Sequence, residues 1–170
     1  MIFGIFKVKK VILRMDMKVQ ISRLMEEPGA AKAFDFLLPP EEIRHEEYRL
    51  LTPLRVCGNV INTGNELCLK GTLTTRLAGS CSRCLGPVTQ DFRCEFDELY
   101  DYGEFAEEDS LDVAEVAREY FIASLPLKVL CSDDCPGLCP ICGKPLADGE
   151  CGCVKKETDP RLAALKKLLD

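Results

Sequence analysis

Residues 131–153 read "CSDDCPGLCPICGKPLADGECGC" and hold six cysteines among Gly, Pro and Asp, in a chain whose only histidine is His45. Thiols brought this close serve disulfide bonding, metal ligation or redox catalysis, and the three belong to different compartments. The opening "MIFGIF" is interrupted by Lys7, "VIL" at 11–13 is shorter still, and no small-residue cleavage site follows. Neither a secretion signal nor a membrane span is written there, which places the protein in the cytoplasm. Cysteines stay reduced in that compartment. Eleven of them is an odd number, so metal ligation is preferred to a disulfide framework.

"CPICG" at 139–143 has the form of a metal knuckle. Two residues between sulfurs let one tight turn aim both thiolates at a single ion, with Pro140 stiffening the turn and Gly143 permitting a left-handed backbone after it. Cys151 and Cys153 follow; in a flat strand they would point apart, so Gly152 must bend the chain if both are to ligate. One tetrahedral site from Cys139, Cys142, Cys151 and Cys153 leaves Cys131 and Cys135 in need of partners, which "CSRC" at 81–84 supplies. A second site from Cys81, Cys84, Cys131 and Cys135 would staple the body to the tail. Alternatively, Cys131 or Cys135 joins the Cys139 knuckle, leaving one ion and several free thiols. All-thiolate sites accept zinc and iron, and zinc is preferred because nothing else in the chain speaks for redox work. Four protein ligands close a site against water, so one or two structural zinc ions are expected. A redox role for Cys81 and Cys84 would need a helix N-terminus, whereas Gly86, Pro87 and a strand follow them.

Other candidates have plainer readings. Cys57, Cys68 and Cys94 stand alone in strands as small apolar side chains, and His45 lies in the polar run "RHEEY". Arg83 beside the first knuckle, and Arg161 with Lys166 and Lys167 near the end, could touch phosphate or simply be surface charges. No glycine-rich phosphate loop, convincing carboxylate pair or serine with a histidine partner is found, so no enzyme and no small-molecule substrate are expected.

The elements that must position these thiols follow from composition and pattern. The chain has 170 residues and is 46% hydrophobic and 29% charged. That suffices for one core with an appendage. Net charge is −6, and residues 95–119 carry eleven acidic side chains against Arg118 alone. Such a balance argues against an extended electrostatic grip on nucleic acid. Residues 1–14 read as a tail or an upstream start, 15–130 as an α+β domain, 131–156 as the Cys-rich segment and 157–170 as a C-terminal helix. "KVQISRL" starts a first strand and "KAFDFLL" a second, with breaks at "EEPG" and "PPEE". A Thr63-Gly64 turn predicts a hairpin with Val60 opposite Leu67, Gly58 opposite Leu69, Val56 opposite Gly71 and Leu54 opposite Leu73, and with Pro53 at an edge or bulge. A third strand, "VTQDFRCEF", puts Val88, Phe92, Cys94 and Phe96 on one side. Asp112 caps a helix with Glu115 as its capping-box partner; Val113, Val116, Ala117, Tyr120 and Phe121 form its apolar stripe, and Pro126 ends it. A last helix begins at Asp159 and Pro160 and shows Leu162, Leu165 and Leu169 on one side. The expected fold is α+β: an antiparallel, barrel-like meander covered by a helix, with a zinc-knuckle tail, a short terminal helix and no internal repeat.

Taken together, "CSRCLGPV", "LDVAEVAREYFIASLPLKVLCSDDCPGLCPICGKPL" and "DPRLAALKKLL" resemble the YceD family of large ribosomal RNA subunit accumulation proteins. The resemblance runs from about Met17 to the end, and Cys81, Arg83 and Cys84 carry it best. It implies a factor for accumulation or processing of large-subunit ribosomal RNA, with precursor ribosomal RNA or a ribosomal protein as partner and no membrane. The rivals are a metal- or thiol-dependent enzyme, such as a nuclease or oxidoreductase, and an interaction scaffold unrelated to ribosomes.

Overall fold

The computed structural model describes residues 17–105, 109–149 and 151–153. The proposed tail at 1–14 and the terminal helix at 157–170, with Arg161, Lys166 and Lys167, lie outside the described residues. In chain order the elements are β1 (Lys18–Gln20), α1 (Ser22–Glu26), β2 (Ala31–Leu38), β3 (Arg49–Leu50), β4 (Leu54–Asn62), β5 (Glu66–Ser80), β6 (Pro87–Asp101), β7 (Ser110–Asp112) and α2 (Val113–Ser124).

Alternation of apolar and polar residues builds the main sheet. Strand β5 is its axis: β6 pairs along one edge over its full length, and β4 and β3 pair in succession along the other, with β2 beyond β4. All these pairings are antiparallel. The meander is as expected, but it does not close: β2 and β6 are not paired to each other, so the barrel-like expectation gives way to an open sheet. One short strand the pattern does not disclose, β7, pairs separately with β1 as Val19↔Leu111 and its neighbours. The expected strand "KVQISRL" stops after Gln20, and Ser22–Glu26 turns into a helix.

The β4–β5 hairpin is present with its register shifted by two. Val56 faces Leu73, Gly58 faces Gly71 and Val60 faces Leu69. The Asn62 side chain accepts a 2.7 Å hydrogen bond from Gly64 N, and Thr63 N donates to Glu66 O at 2.9 Å. These bonds make Gly64-Asn65 the loop, closed by an Asx turn. Gly64 supplies, with φ +103°, the left-handed backbone that the first loop position needs. A shift of two keeps every side chain on its own face. Near Pro53 the chain bulges: Leu50↔Leu77 and Arg55↔Thr74 bracket two extra residues on the β3–β4 side.

Across the inner face runs the row Phe34, Gly58, Gly71, Phe96. Both rings lie over the glycines; a Cβ on Gly58 would overlap the Lys70 carbonyl oxygen and come within 2.8 Å of the Phe34 ring. Helix α2 covers this face, with Val113, Ala117 and Phe121 buried and Phe121 edge-on to Phe92 at 5.1 Å, a favoured aromatic geometry. Asp112 caps it by accepting from Ala114 N at 2.8 Å, while Glu115 pairs with Arg118 at 3.4 Å. The cap satisfies one of the free amides of the first turn. The helix ends at Ser124, and Pro126 O accepts from the buried Tyr48 hydroxyl. One core cluster thus gathers α1, the main sheet, the β1–β7 pair and α2. Cys81, Cys84 and Cys135 form a separate cluster at the far end of the β5–β6 hairpin.

Candidate metal centre

Strands β5 and β6 present "CSRC" at their shared tip, and the chain leaving α2 returns to that tip. Ser82 N donates to Val129 O at 2.7 Å, which seats the tail beside the knuckle. The Arg83 guanidinium donates through Nη1 to Asp133 O (2.9 Å) and Cys135 O (3.1 Å). Gly137, at φ +77°, passes so close that a Cβ would sit 3.3 Å from Arg83 O. Arg83 is therefore a clamp on the tail rather than a cation held out to a ligand.

This clamp brings Cys81, Cys84, Cys131 and Cys135 together, with their sulfurs all within 4.8 Å of one another. Cys81 Sγ lies 3.7 Å from Cys135 Sγ, and Cys84 Sγ 3.7 Å from Cys131 Sγ. A zinc–sulfur bond of about 2.3 Å gives a tetrahedron with edges of about 3.8 Å, so the spacing suits one ion shared by four thiolates. The tail forms a second group of Cys139, Cys142, Cys151 and Cys153, also within 4.8 Å. Gly152, at φ +69°, supplies the bend between the last two. The two groups could hold metal ions.

Both knuckles have the same wiring. Backbone amides two and three residues on point at the first sulfur, with Arg83 N 3.4 Å from Cys81 Sγ and Ile141 N 3.4 Å from Cys139 Sγ. The amide of Cys84, with that of Arg83, holds the Cys81 thiol down at about 6 against the effect of burial, because hydrogen bonds to the charged form favour it. The amides of Cys142 and Ile141 do the same for Cys139, again to about 6. Thiolates are the ligating form, so each turn is prepared for a cation. Crowded sulfurs push the other way: hydrogen bonding of the Cys153 thiol to Cys142 first, then to Cys151, raises it to about 12, because a thiol that donates to a neighbouring sulfur holds its proton.

The turns also close alike, through Leu85 N to Cys81 O (2.9 Å) and Gly143 N to Cys139 O (2.8 Å), then Cys81 N to Gly86 O and Cys139 N to Lys144 O (both 2.8 Å). Leu85 at φ 60° and Gly143 at φ 73° share the left-handed position. "CSRCLGPV" and "CPICGKPL" are thus one local motif used twice, Cys-x-x-Cys-x-x-Pro-aliphatic, where the sequence reading finds no repeat.

The remaining thiols lie apart from both groups. Cys68 is buried and bonded to Asp97 Oδ1 at 3.4 Å, with burial raising its pKa, and Cys94 lies 2.9 Å from Ser124 Oγ. His45 accepts from Glu47 N through Nδ1 and packs on Tyr48. No helix of the described residues is long and apolar enough to cross a membrane.

The family model for the large ribosomal RNA subunit accumulation protein YceD matches residues 69–169, which takes in both knuckles. The chain belongs to the YceD family. It is 32% identical to an uncharacterized protein of Mycobacterium tuberculosis (strain ATCC 25618 / H37Rv), over 90% of this chain and 81% of the relative. It is 27% identical to the uncharacterized protein YlbN of Bacillus subtilis, over 90% of this chain and 96% of that one. No solved structure matches the chain significantly. The YceD family name implies a role with large-subunit ribosomal RNA, and the described fold places the first cysteine group at one end of the sheet.

Proposed function

We propose that this YceD-family protein is a cytoplasmic, non-catalytic ribosome biogenesis factor, needed for accumulation or processing of large-subunit ribosomal RNA, that binds precursor RNA or an assembling ribosomal protein. Two structural zinc ions hold its tail, one ligated by Cys81, Cys84, Cys131 and Cys135, the other by Cys139, Cys142, Cys151 and Cys153. The observation that carries the structural role is the four-sulfur makeup of each group. Four thiolates complete a tetrahedron and leave no position for an activated water, so the ion supports shape rather than hydrolysis. The family match supports the ribosomal reading. The test pairs elemental analysis of the purified protein with its sedimentation on ribosome gradients. Two zinc ions per chain and comigration with large-subunit precursors are expected. A metal-free folded protein would overturn the first part, and absence from every precursor fraction the second.

A further inference from the structure

The outer face of the main sheet divides its charge. Ladder register lays Leu37, Arg55, Thr74 and Arg93 in one row across β2, β4, β5 and β6, with Arg76 and Asp91 opposite each other in the next row toward the knuckles and Arg49 opposite Ala78 beyond that. Away from the knuckles, Glu95, Asp97 and Asp101 follow along β6. The arginines of the sheet therefore collect on the half nearest the first cysteine group, while Lys70 lies in the other half, paired with Asp97 at 3.0 Å.

Here the Thr52-Pro53 bulge opens a groove of about 450 Å³, lined by Arg55, Arg76, Arg93, Thr74 and Thr52 among others. Each arginine is tethered by one exposed carboxylate: Arg55 to Asp35 at 2.6 Å, Arg76 to Asp91 at 3.0 Å and Arg93 to Glu95 at 3.0 Å. The arginine side chains remain 55%, 56% and 68% exposed, so these pairs orient the forks while contributing little stability. Arg76 spends only Nε and Arg93 only one Nη2 bond among the described residues, which leaves forked donors for a further acceptor.

We propose that this arginine–threonine groove is a binding site for the phosphodiester backbone of single-stranded RNA. Arg55 and Arg93 stand two strands apart, about 10 Å between Cα atoms, with Arg76 one row away; the Arg76 and Arg93 forks, with the outer Nη1 of Arg55, whose Nε and Nη2 bind Asp35 at 2.9 and 2.6 Å, can meet successive phosphates on one strand. Guanidinium forks match phosphate oxygens bidentately, and threonine hydroxyls are usual partners of the same oxygens. The inference rests on the ribosomal reading above, and it selects RNA over protein as the partner on this face.

The metal-loaded full chain is titrated into a labelled single-stranded RNA of about 20 nucleotides, longer than a single site of this kind, across a potassium chloride series. Counterion release gives a slope of about −0.7 per phosphate contact, so the triple variant Arg55→Gln, Arg76→Gln, Arg93→Gln loses about 2 units of slope and about 100-fold in affinity at about 0.1 M salt. A second variant, Asp35→Asn, Asp91→Asn, Glu95→Gln, frees the same forks and tightens binding, which a misfolded protein cannot mimic. Circular dichroism and metal content are expected to match the wild type in both. Wild-type protein that ignores RNA, a glutamine variant within about twofold of wild type, or preference for polyglutamate over RNA each overturns the groove. Gradient sedimentation separates the two readings: comigration with precursors that the glutamine variant retains sinks the groove and leaves the ribosomal function standing.

Discussion

On the two-zinc reading, removing one thiol from each cysteine group tests how the tail is attached, because the two groups close loops of very different length. Cys84 and Cys131 are 47 positions apart. An ion joining them acts as a cross-link on a loop of about 48 residues, and the chain-entropy model gives such a link about 4 kcal/mol of stabilisation, felt by everything the loop contains. That loop includes β6, β7 and α2, hence Phe92, Phe96, Ala117 and Phe121 of the main core. Cys142 and Cys151 close only about ten residues, a link of about 2.7 kcal/mol confined to the tail. Cys84→Ser is therefore expected to lower the thermal midpoint of the sheet by about 8–16 °C, taking about 2–4 °C per kcal/mol for a chain of this size. Cys142→Ser leaves that transition nearly unmoved while exposing the Leu146–Ala147 bond to chymotrypsin. Far-ultraviolet circular dichroism melts, with chymotryptic mapping of both variants, read the two effects separately. Equal shifts of the sheet transition in the two variants would refute the cross-link reasoning, as would an unchanged melt for Cys84→Ser.

The remaining predictions concern the frame around the site. Asn62 is fully buried and bonds Leu24 O, Gly64 N and the Tyr102 hydroxyl. Asn62→Leu strands those three polar groups and costs about 3 kcal/mol in guanidinium melts. Gly58→Ala places a methyl against the Lys70 carbonyl and 2.6 Å from Gly71 Cα, where backbone must move; it is expected to destabilise by about 3 kcal/mol in the same assay. Leu85 holds φ 60° and is 67% exposed. Leu85→Gly therefore relieves about 1 kcal/mol of backbone strain and raises the midpoint of metal-loaded protein. Burial, with Glu98 next, lifts Tyr100 to about 12. Its folded pKa lies above the ordinary value of 10.0, so its contribution is complete below about pH 10 and lost between about pH 10 and about pH 12. Tyr100→Phe should flatten the alkaline limb of stability over that window, read by melts at stepped pH.

Much of the site was legible because ligand spacing is a local property. The two-residue separations in "CSRC" and "CPIC" dictate tight turns, and Gly152 between two cysteines dictates a bend, whatever the remainder of the chain does. Asp112 announced its helix for the same reason: its carboxylate meets an amide two residues on. What failed depended on partners remote in sequence. The hairpin register turned on Asn62, whose side chain serves the loop and the end of α1 at once. Strands β3 and β7 are two and three residues long and exist only because β5 and β1 lie beside them, so no period marks them. Arg83 read as a surface cation, since the carbonyls it meets lie 50 and 52 positions away. The arginine row appears only once three strands are in register.

The pairing of early with late thiols also sets an order of events during synthesis. Cys81 and Cys135 are 54 positions apart. At about 5–20 residues added per second, the first pair waits roughly 3–11 s in the nascent chain before its counterparts are made. On the two-zinc reading, Cys81 and Cys84 hold half a coordination shell through that interval, and a message truncated in between yields a polypeptide that can never lock its hairpin tip. On the two-zinc reading, loading of the first ion thus doubles as a check that translation has passed residue 135.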